Sequence, residues 1–141
     1  RDGFPPIVVS EYLPGQEYTV DCLIQNGEIK FIIPRTREKM NNGISVAGTI
    51  EKNDDIIKYC RKILNSLSLD GPIGIQVKYS KNNQPLLVEI NPRIQGTTVA
   101  CTGAGVNISL IAVLPEKYNN VTQDSVKWNT KFIRHYNELY Y

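Results

Sequence analysis

The stretch from Gly74 to Arg93 constrains this chain most. It carries Gly74-Ile75-Gln76-Val77-Lys78 and Leu87-Val88-Glu89-Ile90-Asn91, separated by a polar segment from Lys81 to Gln84. Two short runs rich in β-branched residues on either side of Asn82-Asn83 predict an antiparallel hairpin, because Asn tolerates the positive φ of a tight turn. Side chains alternate between faces along a strand. Ile73, Ile75 and Val77 therefore share one face with Leu86, Val88 and Ile90, while Gln76, Leu87, Glu89 and Asn91 share the other. A two-residue turn at Asn82-Asn83 sets Gln76 directly across from Glu89, and a turn of odd length moves Gln76 to the wrong side.

A carboxylate and two side-chain amides offer hard oxygen ligands, which suit Mg²⁺ or Mn²⁺ better than zinc or copper. Mg²⁺ commonly takes one or two protein carboxylates and completes its shell with water and substrate phosphates. Arg93 follows the strand, with Pro92 stiffening the exit, and its planar fork suits a phosphate oxygen. An ordinary solvated sheet face is the competing explanation of such a trio.

These residues resemble the metal-binding hairpin of the ATP-grasp superfamily, in the form found in carbamoyl-phosphate synthase large chains and their single-copy relatives. Glu89-Ile90-Asn91-Pro92-Arg93, Gly96-Thr97 and the preceding Gln76 carry the match. Upstream, Val9-Ser10-Glu11-Tyr12-Leu13-Pro14-Gly15-Gln16-Glu17-Tyr18-Thr19-Val20-Asp21 is similar to the family's hinge strand and the strand after it. Lys131-Phe132-Ile133-Arg134 with Tyr136 resembles the closing segment of the single-copy relatives.

The resemblance implies a fold and a set of roles. The fold is α+β, a mostly antiparallel sheet with flanking helices, corresponding to the C-terminal subdomain of ATP-grasp. Residues 1–141 would form the second half of the module, since no glycine-rich loop followed by lysine precedes Glu11. Glu11, Tyr12 and Leu13 would hold the purine through main-chain groups, and Glu17 would accept hydrogen bonds from the ribose hydroxyls. Gln76, Glu89 and Asn91 would bind the metal, and Arg93 would steady the transferred phosphoryl group. Arg35 and Arg37, beside a basic loop, together with Gly96 and Thr97, would face the acceptor substrate. The implied activity is that of an ATP-dependent ligase working through an acyl phosphate. ATP, Mg²⁺ (or Mn²⁺), a small carboxylate and an amine-type substrate are its expected partners, along with the first half of the same protein; a homodimer is a further option. A non-catalytic nucleotide-binding or interaction module on the same sheet is the alternative.

Composition excludes several other classes. A net charge of +2, with no basic stripe interleaved with aromatics, argues against nucleic-acid binding. No apolar run has the length of a membrane span. Cys22, Cys60 and Cys101 are widely spaced and odd in number, which reads as buried reduced thiols of a cytoplasmic protein. The opening Arg1-Asp2-Gly3-Phe4-Pro5-Pro6 reads as a boundary within a longer protein. His135 is the sole histidine and reads as structural, and no nucleophile sits in a triad-like setting.

The remaining elements follow from periodicity and turn chemistry. Ile7 to Leu13 and Gln16 to Gln25 read as strands, and Asn26-Gly27 as a hairpin turn into Glu28 to Pro34. Residues 35 to 43 read as an exposed loop and Ile44 to Ile50 as a strand. Asn53 predicts the cap of a helix reaching about Leu69, ended by Gly71-Pro72. Asn107 predicts the cap of a helix from Ile108 to Leu114, and Val126 to Tyr136 reads as a late strand.

Overall fold

A computed structural model describes residues 5–135 and 140. Tyr136, the last residue of the predicted late strand, lies outside the described residues, as do residues 1–4 of the opening segment. Four strands form the main sheet: β1 (Glu17–Gln25), β2 (Glu28–Thr36), β5 (Gly71–Tyr79) and β6 (Pro85–Asn91), in the order β2-β1-β5-β6, with every pairing antiparallel. A smaller antiparallel sheet holds β3 (Lys39–Asn41), β4 (Ile44–Thr49) and β7 (Lys131–Ile133). The α+β architecture expected from the sequence is the one observed.

Both faces of the main sheet are covered. Helix α1 (Asp54–Asn65) presents Ile56, Cys60 and Leu64 to Tyr18, Val20, Cys22, Ile73, Ile75 and Val77. On the opposite face, the short helices α2 (Val99–Gly103) and α3 (Ile108–Val113) enclose Leu23, Phe31 and Ile33 with Ala104, Val106 and Ile111. β1 is therefore buried on both sides, although its alternation matches the sequence pattern. At the β2 edge, Ile32 N donates to Gln123 Oε1 at 2.9 Å and Gln123 Nε2 donates to Ile32 O at 2.8 Å, so one side-chain amide occupies the hydrogen bonds of a neighbouring strand.

Turn chemistry accounts for the hairpins. Asn26 and Gly27 have φ of 54° and 77°, and Asn42 and Gly43 have 47° and 78°, the paired left-handed conformations of a type I′ turn. Asn53 caps α1 by accepting from Ile56 N at 3.1 Å.

Several boundaries depart from the sequence reading. Residues 7–13 form no strand: Ile7, Val8 and Val9 are 75–95% exposed, and regular pairing begins only where Gly15 N donates to Tyr79 O. The predicted loop over 35–43 is mostly ordered, because β2 runs on through Arg35 and Thr36 and β3–β4 is a hairpin. Helix α1 stops at Asn65, where Ser66 N donates to Ile63 O at 3.0 Å and Leu67 N to Leu64 O at 3.1 Å, and Gly71-Pro72 opens β5 instead of ending the helix. The late strand shrinks to Lys131–Ile133. α2 arises from the Thr/Gly-rich stretch in which no helix was predicted.

Candidate functional site

The β5–β6 hairpin reaches the expected pairing by an unexpected route. Ser80 N donates to Gln84 O at 2.9 Å, leaving Lys81, Asn82 and Asn83 at the tip, with Asn83 at φ 57°. That odd tip puts Val77 opposite Leu87. A bulge at Val88 then shifts the ladder by one residue, so that Gln76 faces Glu89, Ile75 faces Ile90 and Gly74 faces Asn91. The bulge also breaks the predicted grouping of Leu86, Val88 and Ile90 on one apolar face. Ile90 packs on the α1 core, whereas Leu86, Leu87 and Val88, consecutive in sequence, all line one cavity.

Register places the polar residues in rows across the sheet. Arg35, Thr19, Gln76 and Glu89 occupy one row, through the pairs Thr19 with Arg35, Thr19 with Gln76 and Gln76 with Glu89. The next row holds Asp21, Gly74 and Asn91. Gln76 and Glu89 are directly opposed, and Asn91 lies two residues along the face that Glu89 occupies. Asn91 Oδ1 accepts from Arg93 at 3.4 Å. Arg93 N donates to Asn91 O at 2.8 Å, a three-residue turn with Pro92 at its centre. One carboxylate and two amides form a hard-oxygen donor set. Among the described residues no ion pair engages Glu89, and no group of three or more His, Cys, Asp or Glu side chains forms a metal site. The set fits a divalent cation that draws most of its ligands from phosphate oxygens and water.

Two cavities open along this face of the sheet, the second lined in part by the first row itself. The first, about 510 Å³, is lined by Ser10 to Leu13, Glu17, Lys78 and Leu86 to Val88. It gathers Glu11, Tyr12, Leu13 and Glu17 in one place, and Lys78 Nζ lies 5.9 Å from the Tyr12 ring centroid. The second, about 280 Å³, brings together Arg35, Arg37, Gln76, Arg93, Gln95, Gly96 and Thr97. Between the cavities, Arg37 pairs with Glu17 Oε1 at 3.0 Å and donates to Gly43 O at 2.8 Å.

Arg35 is not a loop residue. It is 1% exposed, and its Nε donates to Asp21 Oδ2 at 2.7 Å. A buried guanidinium is tolerable only with such a partner. Thr97 is buried, with its hydroxyl donating to Ser45 O at 3.2 Å. Among the described residues, a methyl group added at Gly96 would meet nothing within 4 Å, so no close packing of the chain is required there. It is required at Gly74, where a Cβ would fall 1.7 Å from Gln95 Nε2. That nitrogen is buried and has no hydrogen-bond partner among the described residues. Asp21, Gly74 and Gln95 escaped the sequence reading; alternation along β1 gives Asp21 the face of Glu17 and Thr19, a signal that was available.

The thiols differ sharply from reactive cysteines. Burial pushes Cys60 up to about 12 and raises Cys22 and Cys101 well above the ordinary thiol value, with the Asp21 charge adding to both. His135 is exposed and lies outside any strand.

This architecture and hairpin define the ATP-grasp fold. The chain belongs to an ATP-grasp family described as "ATP-grasp in the biosynthetic pathway with Ter operon", whose model matches residues 3–138. It is 33% identical over 129 residues to the carbamoyl phosphate synthase large chain of Lachnoclostridium phytofermentans, covering 79% of this chain and 12% of that one. Among solved structures, N5-carboxyaminoimidazole synthetase from Staphylococcus aureus complexed with ADP matches with TM-score 0.62, 18% identity and coverage of 85% of this chain and 32% of the other. The biotin carboxylase-β-γ-ATP complex from Campylobacter jejuni matches with TM-score 0.63, 15% identity and coverage of 86% and 30%. The chain thus spans about an eighth of the length of the synthase and about a third of each enzyme of known structure. No described helix is long and apolar enough to cross a membrane.

Proposed function

We propose that this chain is the second half of an ATP-grasp module in an ATP-dependent ligase that activates a small carboxylate as its acyl phosphate for capture by an amine. The observation that carries this reading is the row that opposes Gln76 to Glu89, with Asn91 on the same face, Gln76 lining the arginine-lined cavity and Lys78, two residues along β5, lining the other.

The first cavity takes the nucleotide. Main-chain groups of Glu11 to Leu13 meet the purine edge, Leu86 to Val88 supply an apolar floor, and Glu17 accepts from the ribose through the oxygen that Arg37 leaves free. Gln76, Glu89 and Asn91 would hold Mg²⁺, which neutralises charge on the β- and γ-phosphates when bound. The acceptor occupies the second cavity. Its carboxylate oxygen attacks the γ-phosphorus, the bond to the β,γ-bridging oxygen breaks, and ADP leaves. The amine then attacks the acyl carbon and expels phosphate. Protein groups contribute position and charge: Arg93 and Arg37 face the developing negative charge.

Glu89→Gln in the full-length protein keeps the shape of the side chain and removes its charge. It is expected to abolish Mg²⁺-dependent transfer or hydrolysis of the γ-phosphate, measured as ADP release over a panel of small carboxylates. Unchanged turnover would remove the metal assignment. Nucleotide binding without turnover by the wild-type protein would favour a non-catalytic module.

A further inference from the structure

We propose that Asp21 is the positioning residue of the arginine-lined cavity, a single buried carboxylate that sets two of its walls together. The inference rests on the reading of that cavity as an anion site.

Asp21 is 2% exposed, on the face of β1 that turns away from α1. One oxygen, Oδ2, accepts from Arg35 Nε at 2.7 Å. The other, Oδ1, accepts from the Thr98 hydroxyl. Thr98 Oγ1 in turn accepts from the backbone N–H of Gln95 at 3.0 Å. Through these bonds Asp21 fixes a guanidinium on β2 and the loop that carries Arg93, Gln95, Gly96 and Thr97 out of β6. All of these groups line the same cavity. Fold stability alone needs no such arrangement, because an apolar group at Asp21 and another at Arg35 would fill the same space without desolvating a charge pair.

Asp21 neutralises Arg35, so an arriving anion meets a fixed donor without facing a further unpaired buried cation. Its position in the row of Gly74 and Asn91 also keeps this carboxylate two residues along β1 from Thr19, the neighbour of Gln76. It holds the anion wall from β1, two strands across the row from Asn91 on β6.

The test uses the full-length protein with inorganic phosphate as the anion probe, titrated calorimetrically, and a fluorescent ATP analogue as the nucleotide probe. Thr98→Val keeps the shape and removes the hydroxyl link. It is expected to weaken phosphate binding ten-fold or more and leave nucleotide affinity within two-fold. Thr98→Ser, which restores the hydroxyl, is expected to bring phosphate affinity back to within two-fold of wild type. Asp21→Asn should reproduce the Thr98→Val pattern. Wild-type phosphate affinity in Thr98→Val, or equal loss of both ligands, would overturn the positioning role and leave the cavity assignment standing. A wild-type protein that binds neither phosphate nor nucleotide would overturn the proposed function itself, and this inference with it.

Discussion

Tyr18 shows how one buried polar residue ties the main sheet to the start of α1. Its hydroxyl donates to Glu51 at 3.1 and 3.2 Å and accepts from Asn53 Nδ2 at 3.3 Å, and its ring meets Tyr79 edge-on with centroids 6.0 Å apart. Burial raises its pKa from 10.0 to about 12, opposed by the Asn53 hydrogen bond and assisted by the Glu51 charge. The neutral phenol is the form that the fold favours. Its contribution to stability is therefore complete below pH 10 and is lost as pH rises through about 12. The urea midpoint of the wild-type protein should fall across that window, and Tyr18→Phe should flatten the fall. An equal decline in the variant would assign the effect to other groups. The same residue scale explains why Arg35 was misread. A charged residue after Pro34 resembles the start of a loop, and only its pairing with Asp21, fourteen positions earlier in the chain, makes burial tolerable.

At the scale of elements, local signals decided what the sequence could disclose. The Asn26-Gly27 turn and the Asn53 cap act within a few residues, and the β1–β2 hairpin and the start of α1 were legible from them, whereas Asn42-Gly43 read only as the end of a loop although it turns the β3–β4 hairpin. Asn53 Oδ1 accepts from Ile56 N and from Tyr79 Oη at 3.3 Å, so Asn53→Ala should destabilise the protein by about 1 kcal/mol or more, seen as a lower urea midpoint with unchanged slope. No loss would mean that water replaces the cap. Features set by partners distant in sequence were not legible. Ile7 to Val9 have the composition of a strand, yet composition does not supply an edge to pair with, and none of the described residues pairs with them. In the hairpin, the facing of Gln76 and Glu89 was anticipated, but the two irregularities that produce it were not, because a three-residue tip and a bulge leave no pattern distinct from a regular turn.

For the whole molecule, both cavities open to solvent along the same face of one sheet, and the chain spans about a third of each solved enzyme that it resembles. Under the half-module reading, the 141-residue chain alone should release no ADP from Mg·ATP above a no-protein control. Steady turnover by it would refute that reading. The bulge at Val88 has an engineering meaning at this scale. Register at the end where Gln76 meets Glu89 is held by Ile75 and Ile90 in the core, while the tip beyond Val88 follows its own count. The hairpin thus has two independently adjustable ends. A fluorophore, an epitope or a longer connector spliced between Lys81 and Gln84 would report on the protein without retuning the end where Gln76 and Glu89 meet.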